Sequence, residues 1–247
     1  QIHIYNYYGY YAGSFMPRDK NVSGELTVKQ VQHYLDFQKR RFIACTFVEG
    51  SLFHMIRNLK SYAQTEEFIT IIEKEMENIY SVKTIPELMS YEGRAKNAYY
   101  QAFNIILKDG FTIEKREKRP PSNPLNALIS FGNAMIYSLV LSEIYHTQLN
   151  PTISYLHEPG ERRYSLSLDL AEIFKPLISD PIIFKLVNDN MIKPDDFEKE
   201  IGYCYLSENG RKKFVQEFDK KITTTIKHRK LKRKVSYKSL IRIECYK

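Results

Sequence analysis

From Asn123-Pro124 to about Tyr145 the sequence is apolar around almost the whole circumference of a helix, and nothing else in the chain constrains the fold as tightly. A helix that is apolar all round must be enclosed by other elements. It therefore belongs at the centre of a domain, and the flanking sequence supplies helices to surround it. Val28, Val31, Tyr34, Leu35, Phe42 and Ile43 recur at three- and four-residue steps from about Thr27. Further helices are predicted over Leu52 to about Tyr62, Glu66 to about Tyr80, and Pro86 to about Leu107, where the proline suits a first turn. Asp109-Gly110 stops the last of these. Ile113 to Ser122 is charged, ends in Pro120-Pro121, and reads as an exposed connection. Beyond Asn150-Pro151 and the Pro159-Gly160 turn, helices are expected over Tyr164 to about Leu177, about Ser207 to Ile226, and from Lys238 onward. Ile201 to Leu206 reads as a short strand. Residues 1 to about 8 alternate like a strand, but no obvious partner follows in the connection through Gly13, Pro17 and Gly24. The expected fold class is mainly α, a helical domain with a remnant of a β element at its front. A strand without a partner implies residues upstream of Gln1.

Charge narrows the function. The net charge of +8 is concentrated between Arg211 and Lys238, which hold twelve Lys or Arg against Glu217 and Asp219 and leave the rest slightly acidic. Such a patch is the footprint of a polyanion binder. A solvated helix face or a loose tail would carry the same charge run. An anionic membrane is the weaker rival, because Phe214, Val215, Phe218, Ile222 and Ile226 form a stripe suited to burial in the protein. No apolar run approaching a membrane span and no signal peptide are read. Cys45, Cys204 and Cys245 are widely spaced, form no CxxC, and point to a reducing cytoplasm.

Three stations carry the candidate chemistry: Glu92, His157, and the pair Asp169 and Glu172. Asp169 and Glu172 project from one side of their helix at the edge of its apolar stripe. His157 precedes a Pro-Gly turn that could bring it back over that helix. Glu92 has Gly93 and Ala95 beside it, which permits close approach of another segment. Carboxylates with an imidazole suit Mg²⁺ or Mn²⁺, with waters completing the coordination. Taken alone, Glu92 is most often a surface Glu, His157 a satisfied loop histidine, and the Asp169/Glu172 pair a solvated helix edge. There is no HExxH motif, and no GxGxxG or Walker loop, which argues against nucleotide hydrolysis. Ser165 and Ser167 lack a nucleophile elbow. His33, His54 and His146 read as core or surface.

With these residues set out, the chain resembles the CRISPR-associated endonuclease/integrase family of spacer acquisition, the first-numbered Cas proteins. The resemblance runs through Tyr8-Gly9-Tyr10-Tyr11, Gly13-Ser14-Phe15-Met16-Pro17-Arg18, Ser23-Gly24-Glu25-Leu26, Lys29-Gln30 and His33-Tyr34. It continues with Glu92-Gly93-Arg94-Ala95, Asn126 to Ala134, Leu156-His157-Glu158, and Asp169-Leu170-Ala171-Glu172-Ile173-Phe174-Lys175-Pro176. It implies two domains: residues 1–24 as the end of an N-terminal β domain with its linker, and 25–247 as a helical catalytic domain. It also implies Glu92, His157 and Glu172 as ligands of Mg²⁺ or Mn²⁺, with Asp169 as a supporting acid. The implied activity is metal-dependent cutting and joining of DNA, in which a 3′-hydroxyl of a short duplex attacks the CRISPR repeat. The implied partners are a second copy of the chain, as a homodimer, and the small ferredoxin-like second-numbered Cas protein. Lys230, Lys232, Arg233 and Lys234, with Arg94 and Lys96, are the expected DNA contacts. Three positions depart from the family pattern: Gln148-Leu149-Asn150-Pro151 for Gly-Leu-Asp-Pro, Ser154 for Gly, and Lys175 for Arg. Two other readings stay open, a general or branched-DNA nuclease and a non-catalytic DNA-binding scaffold.

Overall fold

The computed structural model describes residues 1–17, 23–108, 110–118, 120–161, 164–200, 202–228 and 230–247, those at 199 and 200 by backbone alone. Arg18, Asp109 and Ile201 lie outside the described residues. The front of the chain is a hairpin: β1 (Ile2–Tyr5) pairs antiparallel with β2 (Tyr11–Phe15), and Ile2 faces Phe15. The first strand therefore has its partner within the segment that reads as a connection. Gly13 and Ser14 hide the alternation, and the turn is set by Asn6, whose Oδ1 accepts the N–H groups of Tyr8 and Tyr10. Gly9, at φ 79°, sits so close to Phe131 that a Cβ would come within 2.8 Å of its ring.

Two helices, α1 (Gly24–Leu35) and α2 (Phe37–Leu59), replace the expected pair starting near Thr27 and Leu52. The break falls at Asp36, whose carboxylate accepts the N–H groups of Gln38 and Lys39 and so starts a new helix. After it the apolar residues of α2 continue unbroken. α3 (Glu66–Asn78) and α4 (Ile85–Ile106) follow, α4 capped by Thr84 with Pro86 in its first turn. The 113–122 segment is less exposed than its charge suggests. Phe111 and Ile113 are buried, and Asn104 bonds both the N–H and the carbonyl of Ile113.

The central apolar helix is α5 (Pro124–Ile144), capped by Asn123. By length and composition alone it could cross a bilayer, contrary to the sequence reading, and it is the one such helix among the described residues. Most of it is nevertheless buried in the domain, with Leu125, Leu128, Ile129, Ile136, Val140 and Ile144 enclosed. It packs on α6 (Ser165–Phe174), on β4 (Tyr203–Leu206) and on α9 (Tyr237–Cys245). Helix α6 does not run on to Leu177 as an α-helix. Pro176 lacks an N–H and crowds the preceding turn, and the chain widens into a π-turn at Lys175–Ser179 before α7 (Asp180–Asn188). β3 (Phe197–Glu200) pairs with β4. After α8 (Glu208–Thr223), β5 (Thr225–Lys227) and β6 (Lys234–Ser236) form a further hairpin that the Lys/Arg run conceals in the sequence. Ile226 is thus a strand residue and not the end of a helical stripe.

Helix α5 meets the π-turn at Gly132, where a Cβ would overlap Ser179 Oγ and approach Phe214 Cζ at 2.9 Å. Gly132→Ala is expected to destabilise the domain by about 1–3 kcal/mol through overpacking, measured as a lowered urea midpoint with an unchanged slope.

Candidate active site

Helix α6 carries the site. Asp169, Glu172 and Lys175 succeed one another at three-residue steps, so they lie along one side of the helix and its π-turn. Asp169 is fully buried. Its Oδ2 accepts the N–H groups of Tyr155 and Leu156 at 2.6 and 2.9 Å, and its Oδ1 accepts the N–H of His157 at 2.9 Å. His157 Nδ1 lies 2.8 Å from the same Oδ1. Both oxygens of Asp169 already act as acceptors, so Nδ1 is the donor and Nε2 is left as the open imidazole nitrogen. Asp169 thereby orients both the loop and its ring.

The loop is gripped from the other side by α1 and α2. Arg40 Nε donates to the Tyr155 carbonyl at 2.9 Å, and its guanidinium reaches Glu158 at 2.6 Å. The Tyr34 hydroxyl donates to the second Glu158 oxygen at 2.8 Å. Gln30 exchanges two hydrogen bonds with the Asn150 backbone. The departures from the family pattern are absorbed locally. Asn150 Oδ1 accepts from Thr152, and the Ser154 hydroxyl donates to the His157 carbonyl at 2.7 Å.

Glu92, on α4, and Glu172 share the ammonium of Lys96, which lies 2.6 Å from Glu172 Oε2. Lys175 donates to Glu172 Oε1 at 2.7 Å. Glu172 is 4% exposed. Burial pushes its carboxyl pKa up, but Lys175 and Lys96 overcome this and hold it well below the usual carboxylate range. Burial likewise works against the charge on Lys96, and Glu172 and Glu92 outweigh it, so its pKa is raised. The structure thus brings the stations together as two linked pairs, Glu92 with Glu172 through Lys96 and His157 with Asp169. Among the described residues no three His, Cys, Asp or Glu side chains form a ready cage, and a lysine cation stands between the two glutamates. The donor set itself fits a hard divalent ion: two carboxylates already paired with a lysine cation, and an imidazole with one nitrogen held open.

Beside this cluster lies a cavity of about 450 Å³ lined in part by Tyr10, Tyr11, Arg116, Lys118, Tyr137 and Lys175. Lys118 senses Lys96, Lys175 and Arg116, and its pKa is lowered chiefly by burial. Arg116 is fixed by Asn126 Oδ1 and Ser130 Oγ, both at 2.9 Å. Sequence reasoning missed these cations. The available signal was Asn126 and Ser130, polar residues in the first half of a mainly apolar helix. Arg94, by contrast, forms a bidentate pair with Glu75 at 2.7 and 3.0 Å and lies over the Tyr91 ring. Lys230, Lys232, Arg233 and Lys234 are exposed at and beside the tip of the β5–β6 hairpin. Much of the remaining basic segment is already paired: Lys212 with Glu208, Lys213 with Asp196, and Lys220 with Glu217.

A fold this close to known ones defines a class. Over 99% of this chain and 76% of the other, it superposes on a Cas1 protein from Thermotoga maritima with a TM-score of 0.88 at 38% identity. A casposase bound to an integration product shares the fold at a TM-score of 0.86, with 20% identity, over 98% of this chain and 68% of that one. In sequence, all of this chain is 65% identical over 246 residues to a CRISPR-associated endonuclease Cas1 of Thermodesulfovibrio yellowstonii, covering 76% of that relative. It is 55% identical over 250 residues to that of Clostridium perfringens, again covering all of this chain and 76% of the relative. The family described as CRISPR associated protein Cas1 matches residues 1–220. The chain belongs to the Cas1 family.

Beneath the site, Asp180 is buried and its Oδ1 has no hydrogen-bond partner. Burial pushes its carboxyl up to about 7, against the pull of Tyr99, Lys175 and Lys96. The folded chain therefore keeps a proton that the unfolded chain releases from about pH 4 upward. Stability contributed by that proton falls as pH rises toward 7. Asp180→Asn, which has no proton to lose, is expected to gain in Tm over the unchanged protein between pH 5 and 8, measured by thermal melts across that range.

Proposed function

We propose that the chain is a divalent-metal-dependent DNA endonuclease and integrase that inserts short foreign DNA segments into a CRISPR array. The observation that carries this reading is the pair of glutamates bridged by a cation, with Glu172 three residues along α6 from the buried aspartate that aims the His157 imidazole. Glu92, Glu172 and His157 Nε2 would hold Mg²⁺ or Mn²⁺. A bound ion of this kind draws charge from phosphate oxygens and lowers the pKa of an attacking hydroxyl or water. The protein's own residues supply the rest. Asp169 and Arg40 fix the His157 loop before substrate arrives. Lys118, Arg116 and Lys175 line the neighbouring cavity with positive charge, so phosphate groups there are attracted and the charge developing in the transition state is offset. In joining, the 3′-oxygen of the incoming strand bonds to the target phosphorus. The bond from that phosphorus to its former 3′-oxygen breaks, and that oxygen departs as a hydroxyl, taking up one proton as the nucleophile loses one. In cutting, water replaces the 3′-hydroxyl.

The exposed Lys230, Lys232, Arg233 and Lys234 suit the backbone of the same DNA. The chain also shares its fold with part of a chain in a Cas6-RT-Cas1–Cas2 complex, at a TM-score of 0.83 and 22% identity, over 99% of this chain and 27% of that one. We infer a homodimer docked on the small ferredoxin-like Cas2 partner, acting in the cytoplasm. The three cysteines are free.

Glu92→Ala and His157→Ala are each expected to abolish strand joining in Mn²⁺ while the helical circular-dichroism signal stays intact. Retained joining in both would refute the assignment. Lys96 gives a separate readout. If Glu92 and Glu172 hold the ion, its entry must displace the Lys96 ammonium. Lys96→Met then removes the competing cation and tightens Mn²⁺ binding about tenfold, on the scale of one partly screened charge interaction. Titration calorimetry of both proteins measures this, and equal or weaker binding by the variant counts against that ligand pair.

A further inference from the structure

The two glutamates sit on different helices, Glu92 on α4 and Glu172 on α6, and Lys96 ties them together. An ion entering between them displaces that ammonium, so this tie is lost when the site fills. A second tie lies deeper in the domain. Tyr99 stands seven residues after Glu92 and three after Lys96, on the same side of α4. Its hydroxyl donates to the carboxyl of Asp180, the first residue of α7, just past the π-turn. Asn58, near the end of α2, donates through Nδ2 to the Tyr99 oxygen at 2.8 Å and to the Pro176 carbonyl at 2.6 Å. Pro176 and Asp180 stand near the two ends of the π-turn, so one hydrogen-bonded strap joins both ends to α2 and α4.

Packing alone does not call for these polar atoms. The Tyr99 ring meets Phe103 edge-on at 5.0 Å, and Phe103 meets Phe184 at 4.8 Å, contacts that a phenylalanine at position 99 would keep. Both Tyr99 and Asp180 are buried, at 1% and 2% exposure. Polar groups in such a place are costly unless matched, and matched they fix one geometry where apolar side chains tolerate several. The hydroxyl is the part of Tyr99 that packing leaves without a use, and it reaches the helical rod that carries Glu172.

We propose that Asn58, Tyr99 and Asp180 are positioning residues that fix the spacing of Glu92 and Glu172, and through it favour a small divalent ion over a large one. The proposal rests on the metal-site reading above and adds to it the basis of ion choice. Mg²⁺ demands near-octahedral geometry with oxygens at about 2.0–2.1 Å, whereas Ca²⁺ accepts about 2.3–2.6 Å and irregular arrangements. A strap that keeps α4 from drifting off α6 once Lys96 has left therefore protects Mg²⁺ binding and matters little to Ca²⁺. Lys175, which pairs with Glu172, is the first residue of the π-turn, so loosening the turn also loosens the partner that orients Glu172.

The test loads the protein with Mn²⁺ and titrates Mg²⁺ or Ca²⁺ against it, with released Mn²⁺ read by electron paramagnetic resonance. Working at about pH 6.5, below the value of about 7 to which burial raises Asp180, largely matches the carboxyl in charge to an Asn replacement. Tyr99→Phe removes one hydroxyl and keeps the ring, and Asn58→Ala cuts the strap at α2. Each is expected to weaken Mg²⁺ about tenfold, the scale of losing a group that orients a metal ligand. Ca²⁺ should shift by less than about threefold. Asp180→Asn still offers the Tyr99 hydroxyl an acceptor and should keep the ion ratio of the unchanged protein. A role in stability alone would lower Tm and leave that ratio where it was. An unaltered ratio in Tyr99→Phe and Asn58→Ala, or equal losses for both ions, overturns the proposal. So does a ratio that moves as far in Asp180→Asn as in Tyr99→Phe. Should one strap variant unfold, the other decides by the same ratio. Glu92→Ala separates the two readings: Mn²⁺ bound as by the unchanged protein refutes the metal site itself. Mn²⁺ lost there, with the ratio intact in the strap variants, refutes only the positioning role.

Discussion

A carboxylate with no exposed surface must find all its partners inside the protein, and Asp169 finds them in one short loop. Three successive N–H groups, from Tyr155 to His157, and the His157 ring converge on its two oxygens. The position of α6 and the aim of the imidazole are joined at this one point. The grip of Arg40 and Gln30 on the outer side of the loop is meaningful only because Asp169 holds the inner side. Without the aspartate, backbone donors and a histidine would lose their acceptor together, in a place water reaches poorly.

Around that anchor the protein keeps negative and positive charge in close balance. Glu172 is as enclosed as Asp180, yet the two have opposite fates. Lys96 and Lys175 touch Glu172 and keep it ionised, whereas Asp180 feels the same cations from farther off and is pushed toward its neutral form by burial. Distance to a cation, more than depth, separates a carboxylate ready to receive an ion from one that stabilises the floor beneath it.

Much of this was legible in the sequence, for identifiable reasons. The breadth of apolar residues in α5 announced the core, and the three-residue spacing of Asp169 and Glu172 placed them on one side of a helix. The helix break at Asp36 was not visible, because a capping carboxylate looks like any surface acid until the two N–H groups it accepts are known. The β1–β2 and β5–β6 hairpins were hidden by a glycine-serine pair and by a charge run, neither of which alternates in polarity. The cations of the site escaped for a different reason. Lys118 and Arg116 carry no periodicity, and their role comes from cavities contributed by distant segments; Lys96 was expected at DNA and stands instead between two acids. Lys175 was noticed only as a departure from the family pattern.

The π-turn at Lys175–Ser179 is where the helix gains its extra residue. A continuous α-helix would advance every later side chain by a fixed angle, so whatever Glu172 faced would dictate what residues 176–180 face. The widened turn uncouples the two stretches. Upstream of it, residues can be chosen for their reach toward a reacting phosphate; downstream, Asp180 and the α7 side chains can be chosen for how they fit the interior. The chain can therefore evolve its chemistry and its solidity along a single helical rod without one setting the phase of the other.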